Sequence, residues 1–338
     1  MIDLKGRKIA LVGGAGFIGH NLALALKKQG AEVCIIDSLQ VNNLLAFQSM
    51  ELSLPNRDLY HRIINQRLDL LRTADVPLYI QDCQDYHALS RILSTVNPQT
   101  IVHLAAVAHA GKSNKDPYST FGHSLRTLEN TLDTARGGSC EHLIFFSSSM
   151  VYGNFLTEEV PEDHPLNPIG IYGALKLAGE KFVIAYNQVF GLPYTIIRPS
   201  ALYGPRCVSR RVIQIFIENA FEGRGLKMEG GGSEKLDFTY IDDLVDGIIL
   251  TIQHPKAKNQ IFNITNGAAR PLSDVVKYIK NEFPEIKVED VPRDNLMPVR
   301  GTLSISRARE LLGYEPKNQI EVGVPKYIEW YKGMYGKK

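Results

Sequence analysis

The sequence predicts an α/β protein built on a doubly wound parallel sheet, with a smaller C-terminal substrate-binding lobe. Two observations indicate this class. Short apolar runs that suit buried parallel strands alternate with helical patterns over residues 8–200. The first apolar run ends in a glycine-rich turn that opens a helix, as in nucleotide-binding α/β folds.

Each element is predicted from the period of its apolar residues. The first strand is followed by a helical pattern that stops near Gly30, and the second strand ends in Asp37. Residues 38–76 match neither pattern. Further helices are expected at 85–96, 118–136 and from Tyr172 to 189. Strands are expected at 8–14, 32–37, 77–82, 100–106, 142–149, 194–200 and 261–265.

Two parts of the chain differ in composition. Residues 1–200 and about 236–265 carry the strands and are assigned to the sheet domain. Residues 201–235 and 266–338 contain more Gly, Pro and charge, and are assigned to a lobe that binds substrate. Doubly wound folds bind ligands at the carboxyl edge of the sheet, so we expect the lobe there.

The overall composition excludes several classes of protein. The chain has 338 residues, 44% hydrophobic and 22% charged, with a net charge of +2, so neither nucleic acid nor a membrane surface is an expected partner. No run approaches the roughly 18 apolar residues that a membrane span needs. The four cysteines lie far apart without metal-type spacing, which favours free thiols and no metal. We therefore expect a cytoplasmic protein.

The glycine-rich turn "GGAGFIG" predicts a dinucleotide site. Gly13, Gly16 and Gly19 lie between a strand and a helix, where missing side chains let the backbone approach a pyrophosphate. Asp37 ends the next strand, where a carboxylate accepts hydrogen bonds from ribose hydroxyls and repels a 2′-phosphate. The sequence therefore favours NAD over NADP. Asp82, with Cys83 beside it, ends the third strand and is either an adenine contact or a turn residue.

The stretch "GIYGALK" places Tyr172 four residues before Lys176, which is about one helical turn. With 15 tyrosines in the chain, about one such pair is expected by chance. The spacing therefore indicates a catalytic pair only together with the other motifs of the chain. The context is the order of motifs along the chain. They are "GGAGFIG", "HLAA", "SSSMVYG", "NPIGIYGALK", "RPSALYGPR", "DFTYIDDL" and "LLGYEP".

In this order the motifs resemble the extended short-chain dehydrogenase/reductase family, the NAD-dependent nucleotide-sugar epimerases and dehydratases, over nearly the whole chain. The resemblance implies a Rossmann domain and a catalytic group of Ser148, Tyr172 and Lys176. Ser149 is a close rival for the hydroxyl, and Ser147 is a weaker one. A nearby ammonium lowers a phenol's pKa, so Tyr172 could act as a base while hydride leaves the same carbon for NAD.

The resemblance also implies the residues that contact cofactor and substrate. Relatives place Asn where this chain has Ala201 and Arg where it has Leu236, so other cations are needed for a diphosphate. The expected substrate contacts are His109, Lys112, Ser149, Arg206 and Arg300. The expected cofactor contacts are Gly13, Gly16, Phe17, Ile18, Gly19, Asp37, Asp82, Cys83, Ala105, Tyr172, Lys176 and Pro199.

The favoured reaction is epimerisation of a nucleotide diphosphate sugar, most simply at C4, through a keto-sugar intermediate. A plain NAD-dependent dehydrogenase or reductase fits the same residues. A 4,6-dehydratase needs an acidic pair where this chain has Ser149 and Met150, which counts against dehydration. A remote alternative is a non-catalytic NAD sensor. An epimerase would serve nucleotide-sugar metabolism and polysaccharide biosynthesis.

Members of the family commonly form homodimers through two helices per subunit. Here those helices are 118–136 and 172–189, and we expect a homodimer on this basis. The apolar positions compatible with such packing are Leu125, Leu128, Leu132, Leu175, Phe182 and Ile184.

Overall fold

A computed structural model describes residues 1–48, 56–108, 110–293 and 297–336. The strands in these residues are β1 Lys8–Val12, β2 Glu32–Asp37, β3 Leu78–Ile80, β4 Thr100–His103, β5 His142–Phe146, β6 Glu159–Val160, β7 Tyr194–Arg198, β8 Leu202–Tyr203, β9 Leu226–Glu229, β10 Lys235–Leu236, β11 Thr239–Tyr240, β12 Gln260–Asn263, β13 Arg270–Pro271, β14 Val288–Val291 and β15 Thr302–Leu303. The α-helices are α1 Phe17–Lys28, α2 Leu44–Gln48, α3 Arg57–Thr73, α4 Tyr86–Val96, α5 Ala110–Lys115, α6 Pro117–Phe121, α7 Thr127–Arg136, α8 Gly170–Phe190, α9 Val212–Phe221, α10 Ile241–Gln253, α11 Leu272–Glu282, α12 Ser306–Leu312 and α13 Ile320–Tyr335.

Seven strands of the described chain form one parallel sheet in the order β12-β7-β5-β4-β1-β2-β3. Successive side chains of β1 enter different cores, because neighbours on a strand point to opposite faces. Ile9 and Leu11 pack with α1, α3 and α10, whereas Ala10 and Val12 pack with α4, α7 and α8. The predicted doubly wound α/β fold is confirmed, and each predicted strand is a strand of this sheet.

The helix expected at 118–136 is three elements. A π-helical turn over Gly122–Arg126 separates α6 from α7. Gly122 packs against the side chain of Gln84 so closely that a Cβ there would lie 2.3 Å from Oε1. The turn places His123 in the lining of the crevice described below. The segment that matched no pattern contains α2 and the amphipathic helix α3.

The segments that the sequence assigned to a second lobe share an apolar core with those assigned to the sheet domain. Strands β9 and β14 pair in parallel, and helices α9, α11 and α13 pack on one another. Phe216 and Ile217 of α9 belong to the same apolar cluster as Ile248 of α10. No helix among the residues that the structure describes is long and apolar enough to cross a membrane.

The sheet also fixes where ligands can bind. Chain order reverses between the neighbours β1 and β4, so the loops that follow these two strands leave in opposite directions. A crevice opens between them at the carboxyl edge of the sheet, and the glycine-rich turn lies in it.

Candidate active site

The glycine-rich turn leaves one side open to the crevice. Gly13 has φ +77°, and a Cβ there would lie 2.5 Å from the backbone nitrogen of Ala105. A Cβ on Gly19 would lie 2.3 Å from the carbonyl oxygen of Gly14, so this glycine lets α1 pack on the turn. Gly16 differs, since its nearest atom would be the Gly13 oxygen at 3.7 Å. Two glycines are required by packing, and the third leaves space for a ligand.

Asp37 anchors this turn from the end of β2. Its Oδ2 accepts a hydrogen bond from the Ala15 N–H at 2.9 Å, and its Oδ1 accepts one from the Leu39 N–H at 2.7 Å. Burial raises the pKa of Asp37, while these two bonds and the charge of Arg67 lower it. Each carboxylate oxygen keeps a second lone pair for a ribose hydroxyl.

The crevice holds about 860 Å³ of space between its walls, including space that is open to solvent. Nine of the twelve expected cofactor contacts line it, namely Gly13, Gly16, Phe17, Ile18, Gly19, Asp37, Asp82, Cys83 and Ala105. Of the other three, the carbonyl oxygen of Pro199 accepts a hydrogen bond from the Ser149 N–H at 3.0 Å. Tyr172 and Lys176 belong to the adjoining α8.

The candidate catalytic residues meet where β5 ends and α8 begins. Ser148 precedes a short 3₁₀ turn, and its hydroxyl oxygen accepts the Met150 N–H at 3.2 Å. Gly173 allows the helix to approach, because a Cβ there would lie 2.8 Å from the Met150 carbonyl oxygen. The Ser148 hydroxyl is hydrogen-bonded to the phenol of Tyr172. Of the three candidate serines, Ser148 is the one with this contact.

The phenol of Tyr172 is subject to opposing effects. Burial raises its pKa, whereas the charge of Arg211 and the bond from Ser148 lower it. The sequence attributed the lowering to Lys176, but the cation that acts here is Arg211. Arg211 lines the crevice, and its Nε is buried without a hydrogen-bond partner among the described residues.

Lys176 is held at the end of β5. Its Nζ donates a hydrogen bond of 2.5 Å to the carbonyl oxygen of Phe146 and lies 5.2 Å from the centroid of the Phe145 ring. Burial lowers the pKa of Lys176 to about 8, although the charge of Glu180 raises it. The group is therefore mostly an ammonium at neutral pH.

A buried polar network supports these residues from behind. Glu180 of α8 forms a salt bridge of 2.7 Å with Arg198 of β7, and their side chains are 2% and 1% exposed. The Ser147 hydroxyl donates to the same carboxylate, so this serine is turned away from Tyr172. Arg198 also donates to the hydroxyl of Tyr152 at 3.0 Å. The network fixes α8 on β5 and β7.

The expected substrate contacts are in different environments. His109 lies outside the described residues. Lys112 reaches the loop after β2, where its Nζ donates to Asn42 Oδ1 at 2.8 Å. Ser149 is buried beside Ser148 at 3% exposure. Arg300 forms a salt bridge of 3.1 Å with Glu234, and its Nε is buried without a hydrogen-bond partner among the described residues.

Arg206 contacts the sheet domain instead of the crevice. Its Nε donates to His20 Nε2 at 2.9 Å and its Nη2 donates to Asn21 Oδ1 at 2.8 Å, both on α1. These bonds join the second lobe to the helix that follows the glycine-rich turn.

Sequence reasoning missed several residues of the crevice, among them His123 and Ser209, and it offered Arg211 only as one of several basic residues available for a diphosphate. His123 depends on the π-helical turn, for which Gly122 was the available signal. Ser209 and Arg211 depend on the path of a loop in the second lobe. The pair Arg210–Arg211 before an amphipathic helix was a signal, but it equally fits a solvated surface.

Comparisons with known proteins agree with this geometry. Residues 9–265 match the family model of the NAD dependent epimerase/dehydratase family. UDP-glucuronate 4-epimerase 2 of Arabidopsis thaliana is 27% identical over 361 residues, covering 99% of this chain and 78% of that protein. A putative UDP-glucose 4-epimerase of Methanocaldococcus jannaschii is 27% identical over 330 residues, covering 96% of this chain and 98% of that protein. The structure of UDP-glucuronic acid 4-epimerase from Bacillus cereus, in complex with UDP-glucuronic acid and NAD, has a TM-score of 0.87 at 24% identity, covering 97% of this chain and 100% of that one.

Proposed function

Because the chain belongs to the NAD dependent epimerase/dehydratase family, we propose that it is an NAD-dependent 4-epimerase of a UDP-linked sugar. One observation carries the proposal. The hydrogen-bonded pair of Ser148 and Tyr172 adjoins the crevice that the glycine-rich turn and Asp37 line. The named relatives, which are 4-epimerases of UDP-glucuronate and UDP-glucose, support the same reaction.

The crevice residues fit NAD. The open side of Gly16 would admit the pyrophosphate at the N-terminus of α1, and Asp37 would accept hydrogen bonds from the adenosine ribose. Asp82 and Cys83 would border the adenine. Bound there, NAD supplies an acceptor and donor of hydride.

The chain's own residues move and hold the proton. Tyr172 takes the proton from the sugar's C4 hydroxyl, and the Ser148 hydroxyl donates to that oxygen as it becomes a carbonyl. The positive charge of Arg211 favours the phenolate that this step requires. Once the sugar presents its opposite face, Tyr172 returns the proton and the C4 configuration is inverted.

Two neighbouring positions argue against dehydration. Ser149 and Met150 occupy the places where a dehydratase has its acidic pair, and both are buried at 3% and 6% exposure. Neither side chain can act as an acid and a base at neutral pH. Inversion requires proton and hydride transfer alone, so the residues present are sufficient for it.

The second lobe would bind the nucleotide diphosphate. Arg300 is our candidate for the diphosphate, since its Nε lacks a partner among the described residues and guanidinium pairs well with phosphate oxygens. The contacts of Arg206 suit a role in joining the lobe to α1. The contact of Lys112 suits a role in joining the loop after β2 to α5. We retain 201–235 and 266–338 as the extent of this lobe.

We also propose a homodimer formed through α6, α7 and α8. Large apolar side chains are exposed on these helices, including Tyr118 at 92%, Phe182 at 45% and Val189 at 71%. Leu128 and Leu132, which the sequence offered for the same interface, are instead 1% and 0% exposed within the chain's own core.

A product assay tests the proposed reaction. The purified protein loaded with NAD is incubated with UDP-glucuronic acid or UDP-glucose, and the sugars and reduced nicotinamide are both measured. Appearance of the C4 epimer without net reduced nicotinamide supports the proposal. Oxidised sugar formed with stoichiometric reduced nicotinamide would show a dehydrogenase, and no turnover of either sugar would refute an epimerase of these substrates.

A further inference from the structure

Two side chains of α1 hold the backbone at the start of this helix. His20 Nδ1 lies 2.8 Å from the carbonyl oxygen of Gly16, and Asn21 Nδ2 donates to the carbonyl oxygen of Phe17 at 2.9 Å. Because a peptide unit is planar, a fixed carbonyl also fixes the N–H of the next residue. The N–H groups held in this way are those of Phe17 and Ile18. Both residues line the crevice at the N-terminus of α1, where the pyrophosphate of NAD would bind.

The second lobe contacts the same two side chains through one arginine. Arg206 donates through Nε to His20 Nε2 at 2.9 Å and through Nη2 to Asn21 Oδ1 at 2.8 Å. A single guanidinium therefore bonds both of the side chains that hold the first turn of α1. The result is two hydrogen-bonded connections from the lobe, one to the carbonyl of Gly16 and one to the carbonyl of Phe17.

His20 takes part in this arrangement as a neutral ring. Its side chain is 0% exposed, and burial, together with the charges of Arg67 and Arg206, lowers the pKa of His20 well below its usual value. A neutral imidazole has one donor and one acceptor. Because Nε2 accepts from Arg206, the proton is on Nδ1 and is donated to the Gly16 carbonyl. Arg206 therefore selects the tautomer that holds the glycine-rich turn.

The main chain of Arg206 is itself fixed in place. It has φ +66°, a left-handed conformation that a residue other than glycine keeps where surrounding contacts hold it. Arg67 of α3, which is 1% exposed, donates through Nε to the carbonyl oxygen of Arg206 at 2.8 Å. Cys207, the next residue, is 0% exposed. These contacts belong to the main chain and its neighbours, so a change of the Arg206 side chain leaves them intact.

The contacts make the dinucleotide site depend on the second lobe. We propose that Arg206 is a positioning residue for NAD, which orients the pyrophosphate-binding N–H groups of α1 through His20 and Asn21. Arg206 is not among the described residues that line the crevice, so it acts on the cofactor through α1. This role requires bound NAD and is the same in an epimerase and in a dehydrogenase.

The rate of NAD release from the loaded protein tests this role. Labelled NAD is exchanged against excess unlabelled NAD in the unmodified chain, in Arg206→Gln and in Arg206→Lys, and unfolding by denaturant is measured for each. We expect release to be about tenfold faster in Arg206→Gln, because both connections to α1 are lost. Arg206→Lys keeps the charge without the fixed fork of a guanidinium, so its rate should lie between the other two.

Two further variants separate positioning from a general loss of stability. Arg224→Gln removes a partly exposed arginine of the same lobe, which pairs with Glu222 at 2.5 Å, and should release NAD at the unmodified rate. Asn21→Ala removes one of the two connections and should speed release by itself. When Arg206→Gln and Asn21→Ala are combined, the increase should be smaller than the product of the two single increases, because both changes break the same connection.

Each remaining outcome decides the matter. Release at the unmodified rate from a folded Arg206→Gln variant overturns the proposal. Increases that multiply fully in the combined variant also overturn it, since Arg206 would then act by another route. If Arg206→Gln does not fold, Arg206→Lys replaces it, and an unmodified rate there overturns the proposal. An unmodified chain that binds no NAD refutes the cofactor site as a whole, whereas bound NAD whose release is insensitive to Arg206 refutes this role alone.

Discussion

The Nζ of Lys176 lies 2.5 Å from the carbonyl oxygen of Phe146, so the ammonium of α8 is bound to the last residue of β5. Ser148 follows this strand end by two residues, and Tyr172 precedes Lys176 by one helical turn. The bond therefore sets the distance between the two elements that carry the hydroxyl and the phenol.

The charge of Lys176 predicts a pH limit on activity. Its pKa is lowered to about 8 by burial, so the ammonium is present below this value and is lost as the pH rises through it. Loss of the charge weakens the charge-assisted hydrogen bond that holds α8 on the end of β5, and kcat/KM should fall above about pH 8. A pH–rate profile measures this. A profile that stays flat to about pH 10, the ordinary range for lysine, would contradict it.

The packed Gly13 and the open Gly16 of the glycine-rich turn predict different effects of substitution. Gly13→Ala forces a Cβ against Ala105 at φ +77°, so unfolding free energy should fall by about 2–4 kcal/mol. At Gly16, where φ is −77°, an added Cβ would meet open space, so Gly16→Ala should leave the fold intact. The methyl group would occupy space needed by the pyrophosphate, so NAD affinity should fall about tenfold or more. Denaturant unfolding and NAD titration of both variants distinguish the two. Equal losses of stability would show that Gly16 is also a packing glycine.

The buried salt bridge behind the site predicts a large effect on stability. Glu180→Gln leaves the Arg198 guanidinium uncompensated at 1% exposure and should cost about 3–5 kcal/mol of unfolding free energy. The charge of Glu180 raises the pKa of Lys176, so the variant should also lower the pH above which kcat/KM falls.

The control for this variant is the exposed pair of Arg72 and Asp69, whose side chains are 81% and 65% exposed. Asp69→Asn should change unfolding free energy by about 1 kcal/mol or less. Similar costs for the buried and the exposed pair would mean that the buried network does not hold α8 in place.

Local features of the sequence predicted much of this molecule. The apolar runs and the glycine-rich turn are short-range patterns, and they placed seven sheet strands and nine crevice residues. The same holds for Tyr172 and Lys176, which one helical turn brings together. Such patterns need no knowledge of the distant chain.

Contacts between distant residues were beyond sequence reasoning. Arg206 bonds to His20 across 186 positions, and this pairing turns it away from the crevice. The same bonds help to fix residues 206–211, which bring Arg211 to the crevice. Arg206 and Arg210 in this segment are left-handed, which composition does not reveal. The π-helical turn likewise depends on Gln84, which packs on Gly122 from another element.

The exposed apolar side chains of α8 predict how the chain associates. Phe182→Asp should convert a dimer into a monomer at micromolar concentration, because a buried unpaired carboxylate is costly at an apolar interface. Sedimentation velocity measures this. Leu156→Asp, at a side chain 72% exposed outside these helices, should leave the dimer intact. A monomeric unmodified chain would contradict the proposed dimer.

Turnover and bound NAD in a Tyr172→Phe variant test the central claim most directly. The phenylalanine keeps the ring and removes the proton carrier, so epimer formation should fall by about 10²- to 10⁴-fold. The amount of bound NAD should stay the same, because the glycine-rich turn and Asp37 are unaltered. A variant that binds NAD and forms the epimer at the unmodified rate would contradict the assignment of Tyr172 as the acid and base of this site.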